Sequence, residues 1–203
     1  MASITSMEPP QRSANSTDGL SLRSRIVQAG TTVTSQAGWS SVTMGLLAER
    51  VGVSRQTIHN EIGSKRQLAE EVVFTELQHF LALVDAAFTA YPTDLTAAVR
   101  TACRDVLHRA ARSPLLHAIV STSHGARHDL LPLLTTQSDT LIDTAKTVLR
   151  TRLSPRSRPV PDQQLSTTTD ILVRTILSHV MQPSASPEET ADNMAWLTHQ
   201  LLA

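Results

Sequence analysis

Apolar residues recur three and four positions apart along most of the chain after residue 20, which is the period of an amphipathic α-helix. No segment alternates with the period of two that marks a half-buried strand, and no internal repeat is present. About nine helices are predicted, over residues 21–37, 44–51, 54–62, 64–91, 94–112, 113–123, 129–153, 163–181 and 187–202. The pattern therefore predicts an all-α protein.

Two of the short helices meet at a tight turn near residue 52. The helix over 44–51 ends at Gly52, a residue that tolerates the positive φ found just past a helix end. Ser54 is a good N-cap for the next helix, in which Ile58 and Ile62 lie four residues apart on the inner side. A helix, a short turn with Gly and a polar second helix are typical of the helix-turn-helix.

The polar face of that second helix carries side chains that suit DNA. Arg pairs in bidentate fashion with guanine and Gln with adenine in the major groove, which favours Arg55 and Gln56 as base readers. Hydroxyl, imidazole and ammonium groups nearby suit phosphates. The predicted DNA-contacting residues are Thr43, Ser54, Arg55, Gln56, Thr57, His59, Asn60 and Lys65. The alternative is a small helical hairpin whose polar face is only solvated.

This stretch resembles the N-terminal domain of the TetR (tetracycline-repressor) family of transcriptional regulators. The residues that carry the resemblance are Gly38-Trp39, Val42-Thr43, Leu47-Ala48, Gly52-Val53-Ser54, Thr57-Ile58-His59 and Gly63-Ser64-Lys65. Three positions depart from the family pattern, because His59 stands where Tyr is usual, Ile62 where Phe is usual and Gln56 where Gly is frequent. These departures affect which operator sequence is expected, and they leave the family resemblance unchanged.

The resemblance implies a sequence-specific, DNA-binding regulator with two domains. We expect a disordered arm over 1–19 (whose Arg12 alternatively enters a DNA groove), a helix-turn-helix domain over 20–66, and a helical effector-binding and dimerisation domain over 67–203. The family further implies a homodimer that pairs through the last two helices, a palindromic operator, and a ligand pocket in the helical body. The apolar residues of that body favour a small hydrophobic effector as the releasing molecule.

An effector pocket is expected in the middle of the second domain, where apolar side chains are concentrated. The predicted lining is Leu77, Phe80, Leu81, Val84, Phe88, Cys103, Val106 and Leu107. Each of these residues is equally well explained as ordinary hydrophobic core. The alternative for the whole chain is a ligand-binding or protein-interaction module of the same fold without specific DNA reading.

Composition adds limits to this interpretation. Of the 203 residues, 40% are apolar, which supports a packed core, and the formal net charge is zero, which is not the general signature of a nucleic-acid binder. Residues 20–70, however, hold six basic and three acidic side chains, so the predicted DNA-binding region is locally positive. The single Cys103 excludes an intramolecular disulfide, and no run of about 18 apolar residues predicts a membrane span. We therefore expect a cytoplasmic protein.

The eight His residues raise the question of a metal site. His124, His128 and Asp129 are close in sequence, but Gly125 interrupts the helix there and no Cys or carboxylate cluster completes a tetrahedral set. No Gly-rich phosphate loop, nucleophile elbow or zinc-protease pair is present. We therefore predict no metal, no cofactor and no enzymatic activity.

Overall fold

The structure is a computed structural model that describes residues 20–121, 138–154 and 159–202. Within these ranges all regular secondary structure is helical, so the predicted all-α class is confirmed. The helices are α1 Leu22–Ala37, α2 Met44–Val51, α3 Arg55–Ile62, α4 Lys65–Ala90, α5 Leu95–Arg112, α6 Pro114–Ser121, α7 Ser138–Leu153, α8 Asp162–Met181 and α9 Pro187–Leu202, with a short 3-10 turn at Trp39–Ser41. The predicted arm over 1–19, residues 122–137 and residues 155–158 lie outside the described ranges.

Side-chain caps fix where the helices begin. Thr43, Ser54, Ser64 and Asp94 stand before α2, α3, α4 and α5, and each side chain accepts a hydrogen bond from the backbone N–H three residues later, at 2.9 to 3.2 Å. At Ser64 the bond is reciprocal, because its own N–H donates to the Gln67 side chain at 2.8 Å. Such caps satisfy N–H groups that have no partner inside the helix, which explains why these polar residues mark helix starts.

The buried apolar side chains form two clusters. The head cluster joins α1, the 3-10 turn, α2, α3 and the start of α4, and it also takes in Ala110, Leu115 and Leu116 from α5 and α6. The body cluster joins the end of α4 with α5, α7, α8 and α9. Leu68, Ala69 and Val72 belong to the head cluster, so this cluster extends past residue 66, where the sequence analysis ended the first domain.

Helix α4 connects the two clusters. Its 26 residues span about 39 Å at the α-helical rise, beginning at the helix-turn-helix and ending in the body. By length and composition alone it is the one described helix apolar enough to cross a membrane, a test that core helices of soluble proteins also pass. In the structure α4 packs against α1, α5 and α7.

Candidate nucleic-acid interface and apolar cavity

The turn between α2 and α3 depends on Gly52. Its φ of 79° and ψ of 37° lie in the left-handed region, which an L side chain adopts only with strain. Ala48 O accepts from the N–H groups of both Gly52, at 2.9 Å, and Val53, at 3.0 Å, which closes the end of α2. Only three residues, 52–54, separate the two helices, and α3 packs against α2.

Helix α3 divides cleanly into a buried side and an exposed side. Ile58 and Ile62 are buried in the head cluster. Arg55, Gln56, His59 and Asn60 are exposed and Thr57 is half-buried. The exposed face is therefore polar and rests on a fixed apolar base.

Polar contacts along this face already order some of its side chains. Gln56 Nε2 donates to Asn60 Oδ1 at 2.9 Å, one helical turn further on. His59 Nδ1 donates to the carbonyl of Gly63 at 2.8 Å, which leaves Nε2 as its free ring nitrogen. Gly63 itself has a φ of 84°, so the chain leaves α3 in a conformation that favours glycine.

The other predicted DNA-contacting residues lie at helix starts around α3. Thr43 and Ser54 are the caps of α2 and α3, so their hydroxyls and the adjacent N–H groups stand at the positive ends of two helices. Lys65, in the first turn of α4, holds its Nζ 5.3 Å from the centroid of the Trp39 ring. This cation–π contact keeps the ammonium group beside the helix-turn-helix.

Two arginines of α1 have structural partners that sequence reasoning missed. Arg23 donates to the carbonyl of Glu61 and to the Glu71 carboxylate, both at 2.6 Å, and this hydrogen bond and the charge of Glu71 raise the pKa of Arg23. Arg25 Nη2 donates to the carbonyl of Val51 at 2.7 Å. Both side chains tie α1 to the C-terminal ends of α2 and α3, where unpaired carbonyls carry partial negative charge.

An apolar cavity of about 200 Å³ lies in the body between α4, α5, α6, α7 and α8. Seven of the eight predicted lining residues border it, namely Leu77, Phe80, Leu81, Val84, Phe88, Cys103 and Val106. Leu107 is buried but is not part of the described lining. Leu177 and Met181 of α8 line the cavity and are also 41% and 38% exposed, so it reaches the surface there.

Glu76 forms one end of the cavity wall and is only 8% exposed. Arg109 Nη2 donates to its Oε2 at 3.0 Å, the Ser113 hydroxyl also bonds to the carboxylate, and His79 Nδ1 lies 3.3 Å from Oε2. Burial alone would raise the pKa of Glu76, but the hydrogen bonds from Ser113, Arg109 and His79 outweigh burial and lower it. The group is therefore ionised at neutral pH.

Cys103 is the other ionisable group among the described lining residues. Burial raises the pKa of its thiol to about 12. Within the described ranges no group of three or more His, Cys, Asp and Glu side chains is arranged to hold a metal ion. The cluster that the sequence suggested, His124, His128 and Asp129, lies outside those ranges.

Two family profiles match the chain. "Bacterial regulatory proteins, tetR family" matches residues 26–72, which contain the helix-turn-helix, and "Bacterial Tetracyclin repressor, C-terminal domain" matches residues 94–200. The second profile covers more than half of the chain, from the cap of α5 into α9. The two profiles together extend the resemblance from the helix-turn-helix to the helices that follow α4.

Individual relatives agree with the profiles. The HTH-type transcriptional regulator AlkX of Mycobacterium tuberculosis is 27% identical over 176 residues, 87% of this chain and 82% of the relative. The TetR family repressor AlkX from Dietzia sp., implicated in biodegradation of n-alkanes, has a TM-score of 0.72 and 26% identity, and the match covers 89% of this chain and 94% of that one.

A more distant structure shares the fold alone. The transcriptional repressor QsdR of R. erythropolis superposes with a TM-score of 0.60 at 17% identity, over 90% of this chain and 96% of that one. With the turn at Gly52, the exposed face of α3 and both profile matches in agreement, the chain belongs to the TetR family of DNA-binding transcriptional regulators.

Proposed function

We propose that this regulator is a homodimeric repressor that reads a palindromic operator with α3 and leaves it when a small apolar molecule occupies the cavity. The proposal divides the chain into a DNA-binding domain over 20–66 and an effector-binding and dimerisation domain over 67–203. It assigns the protein to the cytoplasm, where it meets the bacterial chromosome.

The observation that carries DNA reading is the exposed polar face of α3 above a buried apolar base. Arg55 and Gln56, in the first turn, project the bidentate donors and acceptors that read base edges in the major groove. Thr43, Ser54 and Lys65 surround them at helix starts, where N–H groups and positive charge suit phosphates. Thr57, His59 and Asn60 complete the proposed contact surface.

The test begins with selection of random duplexes by the purified protein, followed by binding measurements across salt concentrations. We expect a palindrome whose half-site centres are one DNA turn, about 34–36 Å, apart. Replacing Arg55 and Gln56 by Ala should relax base specificity, whereas Lys65→Ala should weaken binding to all sequences and lower the salt slope by about one.

Arg104→Ala is the matched control, because it removes one positive charge from α5 in the body, where Arg104 pairs with Asp105. It should bind the operator as the wild type does. Sequence-specific binding that survives the double Ala change would refute the assignment of α3 as the reading face. Binding that is weak, salt-dependent and indifferent to sequence would instead favour the interaction module without DNA reading.

Apolar side chains left exposed on α8 and α9 support the dimer. These helices already pack into the body cluster through Leu165, Leu172 and Ala191. Trp196 of α9 is 63% exposed and Ile171 of α8 is 38% exposed, and neither lines the cavity. Large exposed apolar side chains, aromatic ones above all, are typical of an interface core.

Sedimentation equilibrium tests this part of the proposal. Trp196→Glu should convert the dimer into a monomer, because a charge cannot be buried in the interface without a partner. Tyr91→Glu is the control, since Tyr91 is an exposed aromatic residue at the turn between α4 and α5 and belongs to neither α8 nor α9. A Trp196→Glu protein of dimeric mass would refute the assignment of the interface.

The proposed effector response rests on the elements that border the cavity. Leu115 and Leu116 of α6 line the cavity and also belong to the head cluster, and α6 packs against α1. A molecule in the cavity therefore presses on residues that support the helix-turn-helix. It releases DNA only if it binds more tightly to the body when the heads are misaligned. The apolar lining, and the link of the Dietzia AlkX to n-alkane degradation, support a hydrophobic effector.

A further inference from the structure

His59 and Gly63 are joined by two hydrogen bonds at the end of α3. The Gly63 N–H donates to the His59 carbonyl at 2.9 Å, and the Gly63 carbonyl lies 2.8 Å from His59 Nδ1. Because a carbonyl oxygen only accepts hydrogen bonds, Nδ1 carries a hydrogen whether or not the ring is charged. The neutral imidazole is therefore held as one tautomer, with a bare lone pair at Nε2.

The hydrogen-bonding character of Nε2 depends on the charge of the ring. In the neutral tautomer Nε2 can only accept, whereas in the protonated ring it can only donate. The side chain is exposed, and Nε2 has no hydrogen-bond partner among the described residues. A phosphate oxygen is an acceptor, so it repels the neutral Nε2 and forms a charge-assisted hydrogen bond with the protonated one. A phosphate contact at this atom therefore requires a proton.

The position of His59 on α3 favours a phosphate as its partner. At about 100° per residue, Gln56 and Asn60 lie roughly opposite the buried Ile58 and Ile62, in the middle of the exposed face, and His59 lies about 100° to one side of Asn60. In helix-turn-helix proteins the N-terminal residues of the second helix read base edges. His59 is in the second turn and on a flank, where the sugar-phosphate backbone borders the groove.

The charged groups around α3 leave His59 without an acidic partner in the described part of the chain. Arg55 precedes it by one helical turn, and Glu61 lies about 200° away around the helix axis. The helices packed against α3 carry Arg23 and Arg25 on α1, Glu49 and Arg50 on α2, and Lys65, Arg66, Glu70 and Glu71 near the start of α4. Of these acids, Glu70 pairs with Arg66 and Glu71 pairs with Arg23. A DNA phosphate is therefore the anion that would stabilise the protonated ring.

We propose that His59 is a proton-dependent phosphate contact, which makes the regulator bind its operator more tightly at mildly acidic pH. The inference rests on the proposed reading of DNA by α3 and adds a regulation of that same surface. Histidine side chains change charge between about pH 5 and 8. One phosphate contact steepens the dependence of log affinity on log salt by about 0.9, and one linked proton changes affinity by at most about tenfold per pH unit. With one such contact in each protomer, we expect the dimer to bind about tenfold or more tightly at about pH 5.5 than at about pH 8.

The probe is a fluorescently labelled duplex that carries the palindrome recovered by random selection. Its affinity for the full-length protein is measured by anisotropy between about pH 5.5 and 8, at several salt concentrations at each pH. We expect binding to tighten as the pH falls and the salt slope to steepen by about 0.9 per protomer. In the free protein, nitrogen-15 NMR of the neutral imidazole should place the ring hydrogen on Nδ1.

Two variants at the same exposed position isolate the proton. His59→Asn keeps an amide donor at the distance of Nδ1 but has nothing in place of Nε2, so it should bind weakly and equally at every pH. His59→Lys carries its charge throughout the range, so its affinity should stay near the low-pH value of the wild type. His117→Asn is the matched control, because His117 is an exposed histidine on α6, outside the helix-turn-helix, and the wild-type pH dependence should persist.

The outcomes separate this inference from the proposed function. Specific binding that is constant with pH, or a pH dependence that either His59 variant retains, overturns the phosphate contact while DNA reading by α3 stands. A ring hydrogen on Nε2, or affinity that rises with pH and loses this rise in His59→Asn, also overturns it, the latter because the neutral Nε2 would then accept from a base amino group. Absence of sequence-specific binding at every pH overturns the proposed function and the inference with it.

Discussion

Cys103 offers a direct chemical measurement of how closed the cavity wall is. It is the single cysteine of the chain and lies in α5 with its side chain at the cavity lining. Alkylation by iodoacetamide therefore reports one position. Because the thiolate and not the thiol attacks the reagent, the rate follows the ionised fraction of this one group.

The expected rate follows from the raised pKa. At about pH 8 a thiol with its ordinary pKa of 9.0 is roughly one-tenth ionised, whereas a pKa of about 12 leaves roughly one part in ten thousand ionised. Folding should therefore slow alkylation about a thousandfold from the ionisation alone. Restricted access of the reagent to the buried sulfur adds to this factor.

Intact-mass spectrometry of timed samples measures the reaction across pH, with the protein unfolded in urea as the reference. The folded protein should react faster by about tenfold per pH unit without levelling off, whereas the reference should level off near the ordinary thiol pKa. An apolar molecule that enters the cavity, such as decanol, should slow alkylation of the folded protein further, because it would cover the Cys103 side chain in the lining. A folded rate within tenfold of the reference, or a plateau near pH 9, would refute the description of Cys103 as a buried, un-ionised wall residue.

Three further predictions concern stability. Ile58→Ala should lower the free energy of unfolding by about 2–5 kcal/mol, because Ile58 is fully buried in the head cluster. Arg55→Ala, at an exposed position of the same helix, should change it by less than about 0.5 kcal/mol, and urea titration of both proteins compares the two values. Burial raises the folded pKa of the Cys103 thiol, so its contribution to the free energy of unfolding is complete below pH 9.0. Above pH 9.0 this contribution falls by up to about 1.4 kcal/mol per pH unit, and the Cys103→Ala protein should lack that part of the destabilisation at alkaline pH. The folded pKa of Glu76 is lowered, so its contribution is present above the ordinary pKa of 4.5 and is lost as pH falls below it. Equal acid unfolding midpoints for the wild type and Glu76→Gln would contradict that assignment.

The sequence predicted those parts of the fold that depend on residues close to one another along the chain. Gly52, Ser54 and Ser64 act within one helical turn, through positive φ or a side-chain cap, and they bound α2, α3 and α4 as expected. Arg23 and Arg25 were harder, because their partners are 26 to 48 residues away. A charged side chain near a helix start is compatible with a phosphate, with solvent or with such a long-range partner, and residue spacing does not distinguish these.

The cavity shows a second limit of pattern reasoning. Apolar residues recur at helical spacing along α4, and Leu68, Val73 and Phe88 among them are buried. Leu77 and Phe80, in the middle of that stripe, are only half-buried and border the cavity. Periodicity identifies which face of a helix is apolar, but it does not tell whether that face meets another helix or a space between helices. The role of Glu76 on the same helix likewise depends on α5 and α6.

The contribution of α6 to the head cluster limits how the protein can be divided into fragments or recombined with relatives. A fragment that ends after residue 66 keeps the whole exposed face of α3 but loses Leu68, Ala69 and Val72 as well as the two leucines of α6 that fill the same apolar cluster. The smallest autonomous folding unit is therefore larger than the DNA-reading surface. Chimaeras that exchange operator specificity between family members should replace only the exposed residues of α3 in an otherwise intact chain. A DNA-binding domain transferred alone lacks the residues of α4, α5 and α6 that complete the head cluster.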